Sequence, residues 1–124
     1  MLASKKIVAF VPTTDYAKAK SFYADVLGLT LISEDPFAMV FDANGITLRV
    51  VKAGKFTPQQ FTVLGWEVSD IEPIVSALEK KGVRFEQYGM PGQDERGIWS
   101  APGGAKVAWF KDPDGNVLSV STHT

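Results

Sequence analysis

Three tryptophans and one arginine are the residues of this sequence best suited to recognise an organic molecule. Trp66, Trp99 and Trp109 offer broad aromatic faces, and each indole N–H needs a hydrogen-bond partner when it is buried. Arg96 lies in a polar loop just before Trp99, where its guanidinium could bind a carboxylate or phosphonate through two parallel hydrogen bonds. The loop charges could equally form a solvated surface. An aromatic lining with few polar groups is typical of small-molecule sites.

Groups for nucleophilic or metal chemistry are sparse. The chain contains no cysteine, which excludes thiol catalysis, disulfides and cysteine-ligated zinc. Its single histidine, His123, is the penultimate residue, where a frayed terminus is the default. The net charge of −1 argues against binding to nucleic acid or to an anionic membrane. The apolar runs are too short to span a bilayer, and no signal peptide is recognisable, so we expect a cytoplasmic protein without a catalytic residue that can be named.

The elements that must position these residues occur twice along the chain. In the first copy, Asp15 is placed to cap a helix whose apolar residues recur at helical spacing, and Gly28 ends it. The pair Asn44-Gly45 is typical of a tight hairpin turn. The strands of this copy are predicted at residues 7–11, closed by Pro12, and at 29–34, 37–42 and 46–51.

The second copy repeats this order. Ser69 or Asp70 is predicted to cap a helix that ends at Gly82, with Pro73 tolerated in its first turn. Its strands are predicted at residues 63–68, 83–88, 98–101, 105–111 and 117–121. The fold class is therefore α+β, a duplicated β-α-β-β-β unit within one domain. We predict that the domain covers residues 1–124, with module one at 6–51, a linker at 52–61 and module two at 62–122.

Two stretches of the chain resemble signatures of the vicinal-oxygen-chelate superfamily, which includes glyoxalases, bleomycin-resistance proteins and extradiol dioxygenases. The first runs from Phe10 to Asp15 and on through Ser21-Phe22-Tyr23 to Val26-Leu27-Gly28-Leu29. The second is Ala108 to Asn116, with its Asp-Pro-Asp-Gly turn. The resemblance spans about residues 6–121. It implies two tandem βαβββ modules whose mixed sheet curls around a cup-shaped cavity, with the helices outside. The cup could form within one chain or across a dimer, and a homodimer is the habit of that family.

The resemblance also locates four places where metal-dependent members of that family hold a divalent ion. Counted from the two capping aspartates, the hairpin and the Asp-Pro-Asp-Gly turn, these places fall on Val8, Leu48, Leu64 and Ser119. A slip of one residue would put Arg49 at the second place. Aliphatic side chains offer no lone pair, and a lone hydroxyl is a poor ligand. We therefore expect the fold without its metal, and no cofactor.

Strand alternation extends this set to a lining for the predicted cup. If the four positions face inward, the same faces carry Phe10, Ile46, Val50, Trp66, Val117 and Ser121. Such a lining suits an aromatic or planar ligand, although the same residues could simply pack a core. The predicted ligand-binding residues are Phe10, Leu48, Trp66, Trp99, Trp109, Ser119 and Arg96.

Three functions of different classes fit these residues. The first is metal-independent binding of a small planar molecule, similar to sequestration by bleomycin-resistance proteins. The second is a glyoxalase-like lyase or isomerase, or a dioxygenase, with a displaced divalent-metal site. Its candidate ligands are Glu67, Glu86, Asp94, Glu95 and His123. The third is a protein-interaction or regulatory module whose cavity is filled by its own side chains.

Overall fold

A computed structural model describes residues 1–123 of the chain. They form two compact units whose boundary lies between Thr57 and Pro58, inside the segment 52–61 that the sequence predicts as a linker. Residue 124, the last of the predicted domain, lies outside the described residues. Each unit has one four-stranded mixed sheet, which confirms the α+β class and its two tandem modules. Within the described residues, no helix is long and apolar enough to cross a membrane.

The first unit has its four strands in the order β1-β4-β3-β2, with β1 parallel to β4 and the other pairs antiparallel. A short 3₁₀ turn at Leu2–Ser4 precedes the sheet, and α1 continues into a wider π-helical segment at Ser21–Val26. The elements are β1 (Val8–Thr13), α1 (Tyr16–Lys20), β2 (Thr30–Glu34), β3 (Ala38–Ala43) and β4 (Ile46–Lys52).

Three local signals predicted for this unit, namely the Asp15 cap, the glycine after the helix and the Asn44-Gly45 turn, are confirmed. The Asp15 carboxylate accepts a hydrogen bond of 3.1 Å from the Lys18 amide and so caps α1. Gly28 follows the helix at a φ of 75°, a left-handed conformation that costs glycine little. The hairpin turn has positive φ at both Asn44 (52°) and Gly45 (87°), as the tightest hairpin connections require.

Pro12 does not close the first strand, because β1 runs on to Thr13. This prediction is wrong for a simple reason. The strand β1 lies at the edge of its sheet and pairs only with β4. Proline lacks a backbone N–H, and an edge strand can place that missing donor on its unpaired side without losing a ladder hydrogen bond.

The second unit repeats the sheet order of the first, as β5-β8-β7-β6, with β5 parallel to β8. Its helix ends before Gly82, which has a φ of 92°. Asp70 occupies the N-cap position, but its side chain makes no capping hydrogen bond, so that prediction is wrong in its chemistry. The elements are β5 (Leu64–Glu67), α2 (Ile71–Lys80), β6 (Trp99–Ser100), β7 (Lys106–Lys111) and β8 (Val117–Ser121).

The strand predicted at residues 83–88 is not formed. One backbone hydrogen bond of 2.8 Å joins the Glu86 amide to the Trp109 carbonyl, but no ladder continues from it. The Tyr88 amide instead donates to the side chain of Gln93, at 2.9 Å. A side chain here accepts the backbone hydrogen bond that a neighbouring strand would accept in a β ladder. The apolar pattern alone therefore predicts a strand where none forms.

Each sheet buries one face. In the first unit the buried face packs on the helical segment, where the ring of Tyr23 lies 5.9 Å from that of Phe41. In the second unit α2 contacts β7 and buries Ile71 and Val75. The buried strand residues are Val11, Met39, Phe41, Leu48 and Val50 in the first unit, and Ala108, Phe110, Leu118 and Val120 in the second. The other side of each sheet is its helix-free face, and it contains Phe10 in the first unit and Trp99, Trp109 and Ser119 in the second.

Candidate functional site

Three aromatic rings meet on the helix-free face of the second unit. Trp109 in β7 lies 5.4 Å from Tyr88 and 6.0 Å from Trp99, measured between ring centroids. Trp109 pairs with Ser119, and Trp99 pairs with Val107, so the two indoles occupy diagonal positions on one face. We call Tyr88, Trp99 and Trp109 the aromatic cluster. Both tryptophans are half-buried and Tyr88 is exposed, so ring surface remains accessible.

Two polar groups without a protein partner adjoin the aromatic cluster. Ser119 is 7% exposed and has Trp109 and Gly65 as its cross-strand neighbours. Within the described residues, neither the Ser119 hydroxyl nor the Trp109 indole N–H makes a hydrogen bond. Gly65 leaves space beside the hydroxyl, because a Cβ there would lie 3.0 Å from Ser119 Oγ. The hydroxyl can donate or accept, and the indole can donate.

The segment between α2 and β6 holds the cluster in place. The Trp99 indole N–H donates to the Pro91 carbonyl at 3.0 Å, which fixes the orientation of its ring. The side chain of Gln93 donates to the carbonyls of Glu86 and Gly97, each at 3.0 Å. These bonds cross-link the two ends of the loop. Burial raises the pKa of the Tyr88 phenol, with a further contribution from the charge of Glu86.

Arg96 is directed to the helix rather than to the aromatic cluster. Its Nη2 atom donates to Ser76 Oγ at 2.9 Å and to Glu79 Oε1 at 2.8 Å. The hydrogen bond to Glu79 is the main reason why the pKa of Arg96 is raised. Of the two interpretations of this residue, the structure favours a charged surface group over a ligand-binding one, since Arg96 pairs with Glu79. It is therefore not among the groups brought together with Trp109.

The predicted orientations of several lining residues are wrong. Leu48 pairs with Ala9, so it faces away from Val8. It is only 1% exposed and lies in the core of the first unit. Leu64 and Trp66 pair with the buried Leu118 and Val120, so they too lie on the helix-packed face. Period-two alternation fixes which residues share a face, but an error of one residue exchanges the faces. Ile46 and Val50 lie on the same face of β4 as Leu48, opposite Arg49, so they do not line the helix-free face either.

Phe10 and Arg49 occupy the helix-free face of the first unit. They are direct partners in the parallel pair of β1 and β4, and Phe10 is 59% exposed. The second unit pairs Gly65 with Ser119 at the same place in its repeated sheet order. Arg49 is therefore the counterpart of Ser119. By this correspondence Arg49, and not Leu48, occupies the second of the four predicted metal positions.

The residues at these four positions do not fit a divalent ion. Register puts Val8, Arg49 and Ser119 on the helix-free faces and moves the third position from Leu64 to its neighbour Val63 or Gly65. None supplies a carboxylate or imidazole, and the charge of Arg49 repels a cation. Across residues 1–123, no three histidine, aspartate or glutamate side chains are grouped to hold a metal.

Two of the residues considered for a displaced metal site do meet. Glu67 lies opposite Ser121 on the helix-free face of the second unit. Its Oε1 atom is 3.2 Å from His123 Nε2, and both side chains are well exposed. Glu86 instead pairs with Lys111 at 3.6 Å, and Asp94 accepts hydrogen bonds from the amides of its own loop.

Tyr88 and Gly65 are site residues that sequence reasoning misses. The apolar pattern predicts Tyr88 at the end of a strand, and only its contact with the Trp109 ring reveals its place. Gly65 is an ordinary strand residue until its pairing with Ser119 is known. A glycine inside a predicted strand is the one sequence signal available, since it often marks a close approach of another group.

Known proteins share both this sequence pattern and this fold. The uncharacterized protein YaeR of Escherichia coli is 28% identical over 97% of this chain and 98% of its own length. The crystal structure of lactoylglutathione lyase from Agrobacterium tumefaciens superposes with a TM-score of 0.76 at 17% identity, covering 96% of this chain and 93% of that one. A glyoxalase family protein from Enterococcus faecalis gives 0.76 at 19% identity, with coverages of 96% and 98%. Residues 6–120 match one family throughout. The chain belongs to the Glyoxalase/Bleomycin resistance protein/Dioxygenase superfamily.

Proposed function

We propose that this protein binds a small planar aromatic molecule without a metal, acting as a cytoplasmic homodimer in the manner of bleomycin-resistance-type sequestration proteins. One observation supports this above the others. The aromatic cluster lies beside two polar groups, Ser119 Oγ and the Trp109 indole N–H, that have no hydrogen-bond partner within the described residues. A planar aromatic molecule that bears a hydrogen-bond acceptor could stack on the aromatic cluster and accept a hydrogen bond from either polar group.

The energetics of such a site are those of stacking plus orientation. Aromatic pairs contribute about 0.5–1.5 kcal/mol beyond the burial of their area, so contact with Trp99 or Trp109 can provide affinity. A hydrogen bond to Ser119 adds about 1 kcal/mol and fixes the orientation of the ring. The Trp99 ring is already fixed by its bond to Pro91, which reduces the entropy lost on binding.

Tryptophan fluorescence provides a direct test, because all three tryptophans lie in the second unit and only two belong to the aromatic cluster. Titration with quinoline and 1-naphthol should quench the wild-type tryptophan emission in a saturable way. Trp109→Phe should abolish most of this quenching and weaken binding. Trp66→Phe is the matched control, since Trp66 lies on the other face, and it should bind as the wild type does.

Calorimetric titration of the same variants separates loss of the fluorophore from loss of binding. A saturable response in Trp109→Phe equal to that of the wild type would contradict a role for the cluster. Absence of binding to any planar compound in the wild-type protein would overturn the proposal itself.

An enzymatic alternative keeps one specific support, the pairing of Glu67 with His123. A carboxylate that holds an imidazole can orient a proton-transfer group. The Agrobacterium protein of similar fold is a lactoylglutathione lyase, which is an enzyme of the same class. We propose this glyoxalase-like lyase, isomerase or dioxygenase function second, because it requires a displaced divalent ion and the pair supplies only two ligands. Measurement of bound metal distinguishes the two proposals.

A further inference from the structure

We propose that Arg49 forms a cationic subsite that binds the carboxylate of a small aromatic anion on the helix-free face of the first unit. This inference rests on the proposed function in expecting an aromatic ligand, but it concerns a second site, on the first unit, rather than the aromatic cluster of the second unit. The starting point is the disagreement at the second metal position, where the metal-dependent relatives need a metal ligand and this chain has a guanidinium. The positive charge at this position is then the Arg49 guanidinium rather than a bound metal ion.

Register places the guanidinium in the middle of the sheet. Arg49 is in β4, with Phe10 in β1 as its partner on one side and Val40 in β3 on the other. Its sequence neighbours Leu48 and Val50 are buried at 1% and 0% exposure, while Arg49 itself is exposed. Alternation along the strand therefore directs its side chain away from the helix-packed core and onto the same face as Phe10.

The direct cross-strand neighbours of Arg49 are two apolar residues, Phe10 and Val40. Within the described residues, its side chain forms no ion pair and no hydrogen bond. Hydrogen bonds from the amides of Phe37 and Ala38 lower the pKa of Asp35, and the charge of Arg49 contributes less, so the Asp35 carboxylate is already bonded to other groups. Arg49 therefore retains five N–H donors for a ligand.

Arginine and phenylalanine side by side define a particular ligand. The planar guanidinium fork matches a carboxylate through two parallel hydrogen bonds, and a phosphonate fits the same donors less specifically. The ring of Phe10, 59% exposed, offers an apolar surface one strand away. A molecule that joins an aromatic ring directly to a carboxylate can use both groups at once.

A charge-matched pair of probes tests this inference on the full-length protein. We would titrate 1-naphthoate and its neutral counterpart 1-naphthamide, and follow binding by calorimetry and by amide NMR shifts. The wild type should bind the carboxylate about tenfold more tightly, as expected for one charge-assisted interaction. The largest shifts should fall on Phe10, Val40 and Arg49.

Three variants complete the design. Arg49→Gln should reduce the preference for the carboxylate to about onefold, and Arg49→Lys should retain part of it, because lysine keeps the charge but loses the fork. Arg84→Gln removes an equal charge from an exposed position in the second unit and should keep the full preference.

The outcomes separate this inference from the function on which it rests. If both probes bind with equal affinity, or if Arg49→Gln keeps the preference, the Arg49 subsite is wrong while aromatic binding stands. Shifts confined to the residues around Trp109 would also exclude the Arg49 subsite and leave aromatic binding in place. If neither probe binds the wild type, the Arg49 subsite is overturned, and the titrations described for the aromatic cluster decide separately whether the proposed function stands.

Discussion

Gly65 and Ser119 show how one absent side chain shapes a site. Ser119 keeps a hydroxyl that no group among the described residues satisfies, and Gly65 in the adjacent strand leaves room beside it. A ligand atom can approach Ser119 Oγ through such a space. In the first unit the corresponding pair is Phe10 and Arg49, so the same place in the repeat holds a glycine beside a hydroxyl in one unit and an aromatic-cationic pair in the other.

Replacing Gly65 with alanine should weaken ligand binding more than it changes stability. The new Cβ would lie 3.0 Å from Ser119 Oγ and fill the space beside the hydroxyl. Because Gly65 has no positive φ, the backbone accepts alanine, and we expect the free energy of unfolding to change by only about 0.5 kcal/mol. Affinity for 1-naphthol should fall several-fold, as measured by calorimetry.

Gly103→Ala is the control for that variant, since a Cβ at Gly103 would meet no atom within 4 Å. It should bind 1-naphthol with wild-type affinity. Unchanged affinity in Gly65→Ala would show that the ligand does not approach Ser119 from the side of Gly65.

At the scale of elements, the turn between β2 and β3 depends on one carboxylate. Asp35 Oδ1 accepts hydrogen bonds from the amides of Phe37 at 2.7 Å and Ala38 at 3.0 Å. These bonds, the first of them most strongly, lower the pKa of Asp35 below its usual value. The Asp35 carbonyl also accepts a hydrogen bond of 3.0 Å from the Tyr16 hydroxyl, which links the turn to α1.

Acid should therefore weaken this hairpin through Asp35. A carboxyl group whose pKa is lowered in the folded state stabilises the fold at pH values above its unfolded pKa of about 3.9. That contribution is lost as the pH falls through the lower folded value. Denaturant midpoints measured from neutral to acidic pH should fall less steeply for Asp35→Asn than for the wild type.

Asp25→Asn serves as the comparison for the acid experiment, because it removes an equal charge from an exposed position in the same unit. Its midpoint should follow the wild-type curve at every pH. If Asp35→Asn followed that curve as well, the turn would not contribute to the acid sensitivity.

At the scale of the whole molecule, the amount of bound metal distinguishes metal-free binding from the enzymatic alternative. The repeat brings Val8, Arg49 and Ser119 to positions that the family resemblance predicts for metal ligands. We expect protein purified without chelator to contain far less than one divalent ion per chain by elemental analysis. Added zinc, nickel or manganese should leave the melting temperature unchanged, because an ion that binds only the folded state would raise it. One tightly held ion per chain would instead favour the enzymatic alternative.

Features that depend on neighbours in sequence could be predicted from the sequence alone. The Asp15 cap, the Asn44-Gly45 turn and the glycine that ends each helix are decided within a few residues, where side-chain and backbone geometry act directly. Their repetition defines two β-α-β-β-β units, and together with the Asp-Pro-Asp-Gly turn it identifies the family. Residue type alone likewise makes candidates of Trp99, Trp109, Ser119 and Phe10.

The tertiary structure decided which face each candidate occupies. Alternation has a period of two, so a sequence states that Leu48 and Arg49 face opposite ways but not which of them faces the helix. The pairing of Phe10 with Arg49, and of Gly65 with Ser119, settles that choice, because helix packing buries the other face. Tyr88 joins Trp109 from a distant part of the chain, and Arg96 turns to Glu79, through contacts that no local pattern encodes.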